Sequence, residues 1–184
     1  MEPWLSAALD YIPRWFEFQM TKLDQPGAVI ALARNGEVVL ERAFGVADLQ
    51  EPMTPRHRFR IASHSKSFTA AGIMKLKEQG RLRLEDPAGD HVSNLDRDIS
   101  KATLGQLLSH CAGTVRDGPD GGQFLDRRAF LRTEELKADL AQPQPFRPGD
   151  LFKYSNHGYG LLGLVIEAIT KEPFDSWIKR EILD

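Results

Sequence analysis

Two short segments carry residue types that can do covalent chemistry. In the first, Phe59-Arg60-Ile61-Ala62-Ser63-His64-Ser65-Lys66-Ser67-Phe68, a serine and a lysine stand three positions apart as S-x-x-K. On a helix, three residues turn through about 300°, so Ser63 and Lys66 share one face. A serine hydroxyl is a poor nucleophile until a base takes its proton. A lysine amine does this only when burial and nearby charge push its pKa toward neutrality. A helix start at the serine adds partial positive charge, which disfavours the ammonium and favours a developing oxyanion. The backbone N–H of Ser63 is the natural donor to that oxyanion. In the second segment, Lys153-Tyr154-Ser155-Asn156-His157-Gly158, Tyr154 and Asn156 form the only Y-x-N of the chain. A tyrosine there can pass a proton between nucleophile and leaving group if lysine charge lowers its pKa. An asparagine amide there can hold a substrate amide and the lysine amine at once.

Neither segment is decisive alone. S-x-x-K is expected about once by chance in a chain of this size at ordinary residue usage, and a second copy, Ser176-Trp177-Ile178-Lys179, is present. That second copy reads as a solvated helix end. Ser63 and Lys66 alone would read as a helix cap with a surface lysine. Tyr154 and Asn156 alone would read as a packed tyrosine beside a helix cap. The sharper reading rests on the joint presence of all four residues.

The elements that must position these residues are partly legible. Residues 4–22 have a helical, amphipathic spacing of Leu5, Ala8, Leu9, Ile12, Trp15, Phe16 and Phe18, interrupted by Pro13. This predicts a kink or two short helices. Gly27–Ala33 and Glu37–Phe44 are apolar and β-branched runs flanking Asn35-Gly36, a strong hairpin signal because both residues tolerate positive φ. Pro52 and Pro55 then mark a loop. A long helical pattern runs from Ile61 to about Gln79, with Gly80 as its C-cap. Shorter helices are predicted near 103–110, 127–141, 157–171 and 174–183. The glycine-bearing stretch 112–123 reads as a loop that overhangs the pocket, and Pro143 to Gly149 reads as another. Two strands do not make a domain sheet.

Composition narrows the classes. The 184 residues are 41% hydrophobic and 27% charged, an ordinary globular balance. With 24 basic and 26 acidic residues the formal net charge is −2, which argues against a basic nucleic-acid-binding face. The single cysteine, Cys111, excludes an internal disulfide and reads as a small apolar residue at a helix end. The five histidines form no i, i+4 pair or H-E-x-x-H pattern, so no metal site or other cofactor is expected. No apolar run of about 18 residues is present, so no membrane span is expected. The start Met1-Glu2-Pro3-Trp4-Leu5 lacks the features of a signal peptide, and the expected setting is cytoplasmic.

Taken together, the two segments resemble those of the class C β-lactamase, DD-peptidase and esterase superfamily of serine acyl-enzymes. The likeness covers roughly residues 25–184. It includes Gly27-Ala28-Val29 with the Asn-Gly hairpin, and Phe44-Gly45-Val46-Ala47-Asp48. It also includes Leu104-Gly105-Gln106-Leu107-Leu108-Ser109-His110-Cys111-Ala112-Gly113, with Ala112 where the family usually has serine, and Phe146-Arg147-Pro148-Gly149. The resemblance implies an α/β (α+β), β-lactamase/transpeptidase-like fold. Residues 1–80 would be the N-terminal helix, hairpin and nucleophile helix, and 81–184 the helical domain bearing Y-x-N. It implies Ser63 as the acylated nucleophile, Lys66 as its base partner, Tyr154 as general acid/base and Asn156 as the substrate-orienting amide. His64 sits at a variable position of the motif and is given no role. His110 is read as a satisfied, partly buried structural histidine, and His157 as a plain helix residue.

The family's third motif, Lys/His-x-Gly on a late strand, has no match after Asn156. Family chains run on for more than a hundred further residues that include the remaining sheet strands. The expectation is a serine hydrolase acting on small esters, peptides or amides, with weak β-lactam turnover at most. A complementary C-terminal chain or fragment would complete the sheet and the site. The alternative is a non-catalytic module that binds a ligand or partner on the same scaffold.

Overall fold

The computed structural model describes residues 2–48, 50–117 and 132–184. They form two compact units, Met1–Arg60 and Ile61–Asp184. The helix that follows Ser63 therefore belongs to the second unit.

The first unit opens with α1 (Pro3–Leu23), which continues through Pro13 as one helix. The chain does not divide into two short helices there: a single proline removes one backbone hydrogen bond, and this one is buried. β1 (Gly27–Arg34) and β2 (Glu37–Asp48) pair antiparallel with Arg34 opposite Glu37 and Gly27 opposite Gly45. The turn residues Asn35 and Gly36 have φ of 52° and 84°, the two positive values that a tight hairpin turn needs. A short β3 (Glu51–Pro52) pairs with the far end of β2, giving the order β1-β2-β3. The Pro52 region had read as loop; a two-residue strand is too short for period-two patterning to reveal. Phe16 of α1 packs on Phe44 of β2 with ring centroids 5.4 Å apart, yet Trp4, Tyr11 and Phe18 stay more than half exposed.

The second unit is helical and holds the main cluster of buried apolar side chains among the described residues. Its helices are α2 (Ser65–Glu78), α3 (Leu104–Leu108), α4 (Thr133–Leu140), α5 (Asn156–Thr170) and α6 (Phe174–Ile178), the last continued by a π-helical turn to Leu183. Ile73 and Leu76 from α2, Leu104 and Leu107 from α3, Leu140 from α4, and Leu161, Leu162, Val165 and Ile166 from α5 are essentially fully buried in one cluster. Each such side chain contributes about 1.5–3 kcal/mol relative to exposure.

Local sequence explains the helix ends. Past Glu78, Gly80 at φ 68° lets its own N–H reach Lys77 O and the Arg81 N–H reach Leu76 O, the paired bonds of a Schellman stop. Thr103 and Gln106 cap α3 reciprocally. The start of the predicted 127–141 helix and the later part of the 112–123 loop lie outside the described residues. Among the described residues, no helix is long and apolar enough to cross a membrane.

Candidate active site

The Ser63 segment differs from its sequence reading in one respect. The α-helix begins at Ser65, and Ser63 lies in a preceding 3₁₀ turn, Ala62–His64. Ala62 enters that turn at φ 44°, a left-handed conformation that a β-carbon disfavours. In 3₁₀ geometry, residues i and i+3 eclipse, so the tighter turn still stacks Lys66 beneath Ser63.

The Tyr154 segment is set by the start of α5. Ser155 is its N-cap: the hydroxyl accepts from the Gly158 N–H at 2.8 Å and donates to Val115 O at 2.5 Å. Asn156 is the first helical residue, and its N–H donates to Arg116 O at 2.8 Å. Tyr154 directly precedes the cap, which is itself in extended backbone. The chain before it is held by His110, whose carbonyl accepts from the Lys153 N–H at 2.7 Å and whose Nδ1 accepts from the Ser155 N–H at 3.1 Å.

The two segments, some ninety residues apart, meet. Ser63 Oγ lies 2.5 Å from the Tyr154 hydroxyl, where either oxygen can donate. Lys66 Nζ donates to Asn156 Oδ1 at 2.5 Å and lies 3.4 Å from Ser63 Oγ. The ammonium is also 4.8 Å from the centre of the Tyr154 ring and 5.7 Å from that of Tyr159, within cation–π range. Ser63 is exposed, whereas Lys66, Tyr154 and Asn156 are half-buried. All four residues singled out from sequence are thus in one hydrogen-bonded cluster.

The electrostatics of the cluster separate its tyrosines. At Tyr154, burial pushes the phenol pKa up, but the nearby Lys66 ammonium, the Ser63 hydroxyl and the Arg116 charge outweigh it and hold it below the ordinary tyrosine value. At Tyr159, burial and the neighbouring Tyr154 both push the phenol up, and its hydroxyl donates to Leu108 O at 2.9 Å. The His110 pKa is lowered, first by burial and then by the Lys66 charge. A neutral His110 with Nδ1 accepting from Ser155 carries its proton on Nε2. Its ring lies against Tyr154, centroids 4.5 Å apart, so its place is that of a support for the tyrosine. His157 is buried and pairs with Asp139 of α4 at 2.8 Å, which ties α4 to α5.

Two neighbours were missed from sequence. Asp117 accepts a hydrogen bond from Asn156 Nδ2 and pairs with Arg116 at 3.0 Å. The Arg116 guanidinium lies 5.8 Å from the Tyr154 ring centre. Both lie in the glycine-bearing stretch 112–123, and neither carries a spacing that points to the Y-x-N motif. Lys66 and Asn156 also line a pocket of about 320 Å³, together with Thr69, Leu136, Gly163 and Phe174 among others. The second S-x-x-K takes no part: Ser176 and Lys179 are exposed, and Lys179 pairs with Asp184 at 2.7 Å.

The Beta-lactamase family profile matches residues 12–184. Protein flp of Staphylococcus aureus (strain N315) is 31% identical over 179 residues, covering 91% of this chain and 36% of that protein. The solved structure of SurE with D-Leu is 33% identical at a TM-score of 0.72, covering 97% of this chain and 40% of that one. A D-stereospecific amidohydrolase from Streptomyces sp. is 30% identical at a TM-score of 0.71, covering 86% of this chain and 49% of that one. The chain therefore spans less than half the length of these relatives, and its sheet and helices form part of the β-lactamase/transpeptidase-like fold. On the profile match and these likenesses, the chain belongs to the Beta-lactamase family.

Proposed function

We propose that the protein is a serine hydrolase that works through an acyl-enzyme on Ser63. The observation that supports this most directly is the convergence of Ser63 Oγ on the Tyr154 hydroxyl at 2.5 Å and on Lys66 Nζ at 3.4 Å. Ser63 Oγ attacks the substrate carbonyl carbon, and its proton passes into the Lys66–Tyr154 pair. Tyr154 then protonates the departing amine or alkoxide. Water, giving its proton to the same pair, cleaves the acyl-serine ester and releases the acid. A phenol held below its ordinary pKa by surrounding positive charge suits this exchange. Asn156 keeps Lys66 in place through Oδ1 and orients the substrate. The Ser63 N–H serves as one oxyanion donor. The second we assign to sheet strands outside these 184 residues, continuous with them or on a separate complementary chain.

The substrates we propose are small esters, peptides and amides, with D-amino-acid amides or peptides foremost. The names of two similar proteins, a D-stereospecific amidohydrolase and SurE with D-Leu, support that choice. β-Lactam turnover would be a weak side activity. The test is denaturing intact-mass spectrometry after incubation with a fluorophosphonate probe, followed by peptide mapping. A single adduct on Ser63, absent in Ser63→Ala, is the expected result. No adduct on the full-length protein, with any complementary chain bound, would sink the hydrolase reading in favour of a binding module.

A further inference from the structure

Asn156 is held from both ends of its amide. Its Oδ1 accepts from Lys66, and its Nδ2 donates to Asp117. An ammonium can only donate and a carboxylate can only accept, so the two partners together permit one amide orientation. The reverse orientation would set two donors face to face at Lys66 and two acceptors face to face at Asp117. Asp117 is itself held by its place in the chain. Its segment is tied to the start of α5 by Ser155 Oγ on Val115 O and the Asn156 N–H on Arg116 O, and to the rest of the unit by Val115 N–H on Gln144 Oε1 at 3.0 Å. Arg116 occupies the second oxygen of the carboxylate at 3.0 Å, and the Asp117 side chain is only 16% exposed.

We infer that Asp117 is a positioning residue of the acylation step: it locks the Asn156 amide so that Oδ1 faces Lys66 and keeps the amine aimed at Ser63. The inference rests on the acyl-enzyme reading above. Nothing passes between Asp117 and substrate; its effect reaches Ser63 through Asn156 and Lys66. A supporting partner of this kind acts on the reaction through the orientation of the group it holds.

The test compares Asp117→Ala and Asp117→Asn in the full-length protein. The readouts are the rate of Ser63 acylation by a fluorophosphonate and by a small activated ester, and the Asn156 side-chain amide signal in ¹⁵N NMR. Asp117→Asn keeps a carbonyl oxygen that can accept from Asn156, whereas Asp117→Ala keeps nothing. The expected result is acylation slowed by about 10- to 100-fold in Asp117→Ala and restored to within about threefold of wild type in Asp117→Asn, with thermal midpoints of both near wild type. The Asn156 amide signal moves strongly in Asp117→Ala and little in Asp117→Asn. Wild-type rates in Asp117→Ala would overturn the inference and leave Ser63 as nucleophile. Equal losses in both variants would also overturn it, because charge rather than amide orientation would then be what Asp117 supplies. Should wild type and Ser63→Ala both fail to label, the hydrolase reading falls and the kinetic role of Asp117 falls with it. An unmoved Asn156 signal in Asp117→Ala would show separately that the carboxylate does not hold the amide.

Discussion

Ser63-x-x-Lys66 and Ser176-x-x-Lys179 have the same residue types at the same spacing and end in opposite situations. Lys66 is half-buried, bonded to Asn156 and placed between two tyrosine rings, with Ser63 Oγ 3.4 Å away. Lys179 is 70% exposed and its amine goes to the Asp184 carboxylate. An exposed pair of that kind contributes roughly 0–1 kcal/mol and leaves the lysine charged and solvated. The difference comes from what faces each motif. Residues 115–117 and the segment that enters α5 bring a tyrosine, an amide and a carboxylate to the first. Lys179 of the second is exposed and is paired with the Asp184 side chain. Spacing therefore nominates a serine–lysine pair, and the neighbours decide whether it can do chemistry.

Substitutions sharpen this contrast. The largest expected effect is loss of fluorophosphonate labelling in Ser63→Ala, while Ser176→Ala labels as wild type; a labelled Ser176 would erase the distinction. Next, Lys66→Met should slow acylation by about 10²–10⁴-fold, the usual range for a proton-transfer group, whereas Lys179→Met should leave the rate unchanged when both are assayed on a small ester. Tyr154→Phe should cost about 10²–10³-fold and flatten the pH profile of acylation.

Smaller effects follow from charge. The wild-type rate should rise with pH as Tyr154 ionises, with a midpoint below the ordinary tyrosine value because its pKa is lowered. Arg116 is one of the charges that lower it, so Arg116→Ala should move that midpoint to higher pH; a shift to lower pH would contradict the assignment. The smallest effect is at His110. Removing the Lys66 charge should raise its pKa, read by NMR titration, but not to the ordinary histidine value, because burial is the larger cause of its depression.

The legible part of the site was the part carried by residue type and short spacing. Ser63, Lys66, Tyr154 and Asn156 could be named because few chemistries use that set, and all four lie in one cluster. Asp117 and Arg116 could not, since an Asp and an Arg in a glycine-rich stretch are most often solvated. Their relevance depends on a backbone path that lays residues 115–117 along the start of α5. The 3₁₀ turn at Ser63 was hidden for a related reason. Helical periodicity over 61–79 is the same whether the first turn is α or 3₁₀, and the i→i+3 bond from the His64 N–H to Ile61 O is what separates them.

What the sequence alone determined is what the chain decides within a few residues. The Asn35-Gly36 turn, the Gly80 stop after α2 and the reciprocal Thr103–Gln106 cap all form where local chemistry asks for them. These features satisfy backbone groups with neighbours only one turn away, so no distant contact is needed to specify them. Tertiary structure decided the rest: that α1 runs unbroken through Pro13, that a short third strand joins the hairpin, that His157 ties α4 to α5, and that one S-x-x-K of two faces a tyrosine, an amide and a carboxylate. Each of those outcomes depends on groups far apart in the chain, which become neighbours only once a shared core has been buried.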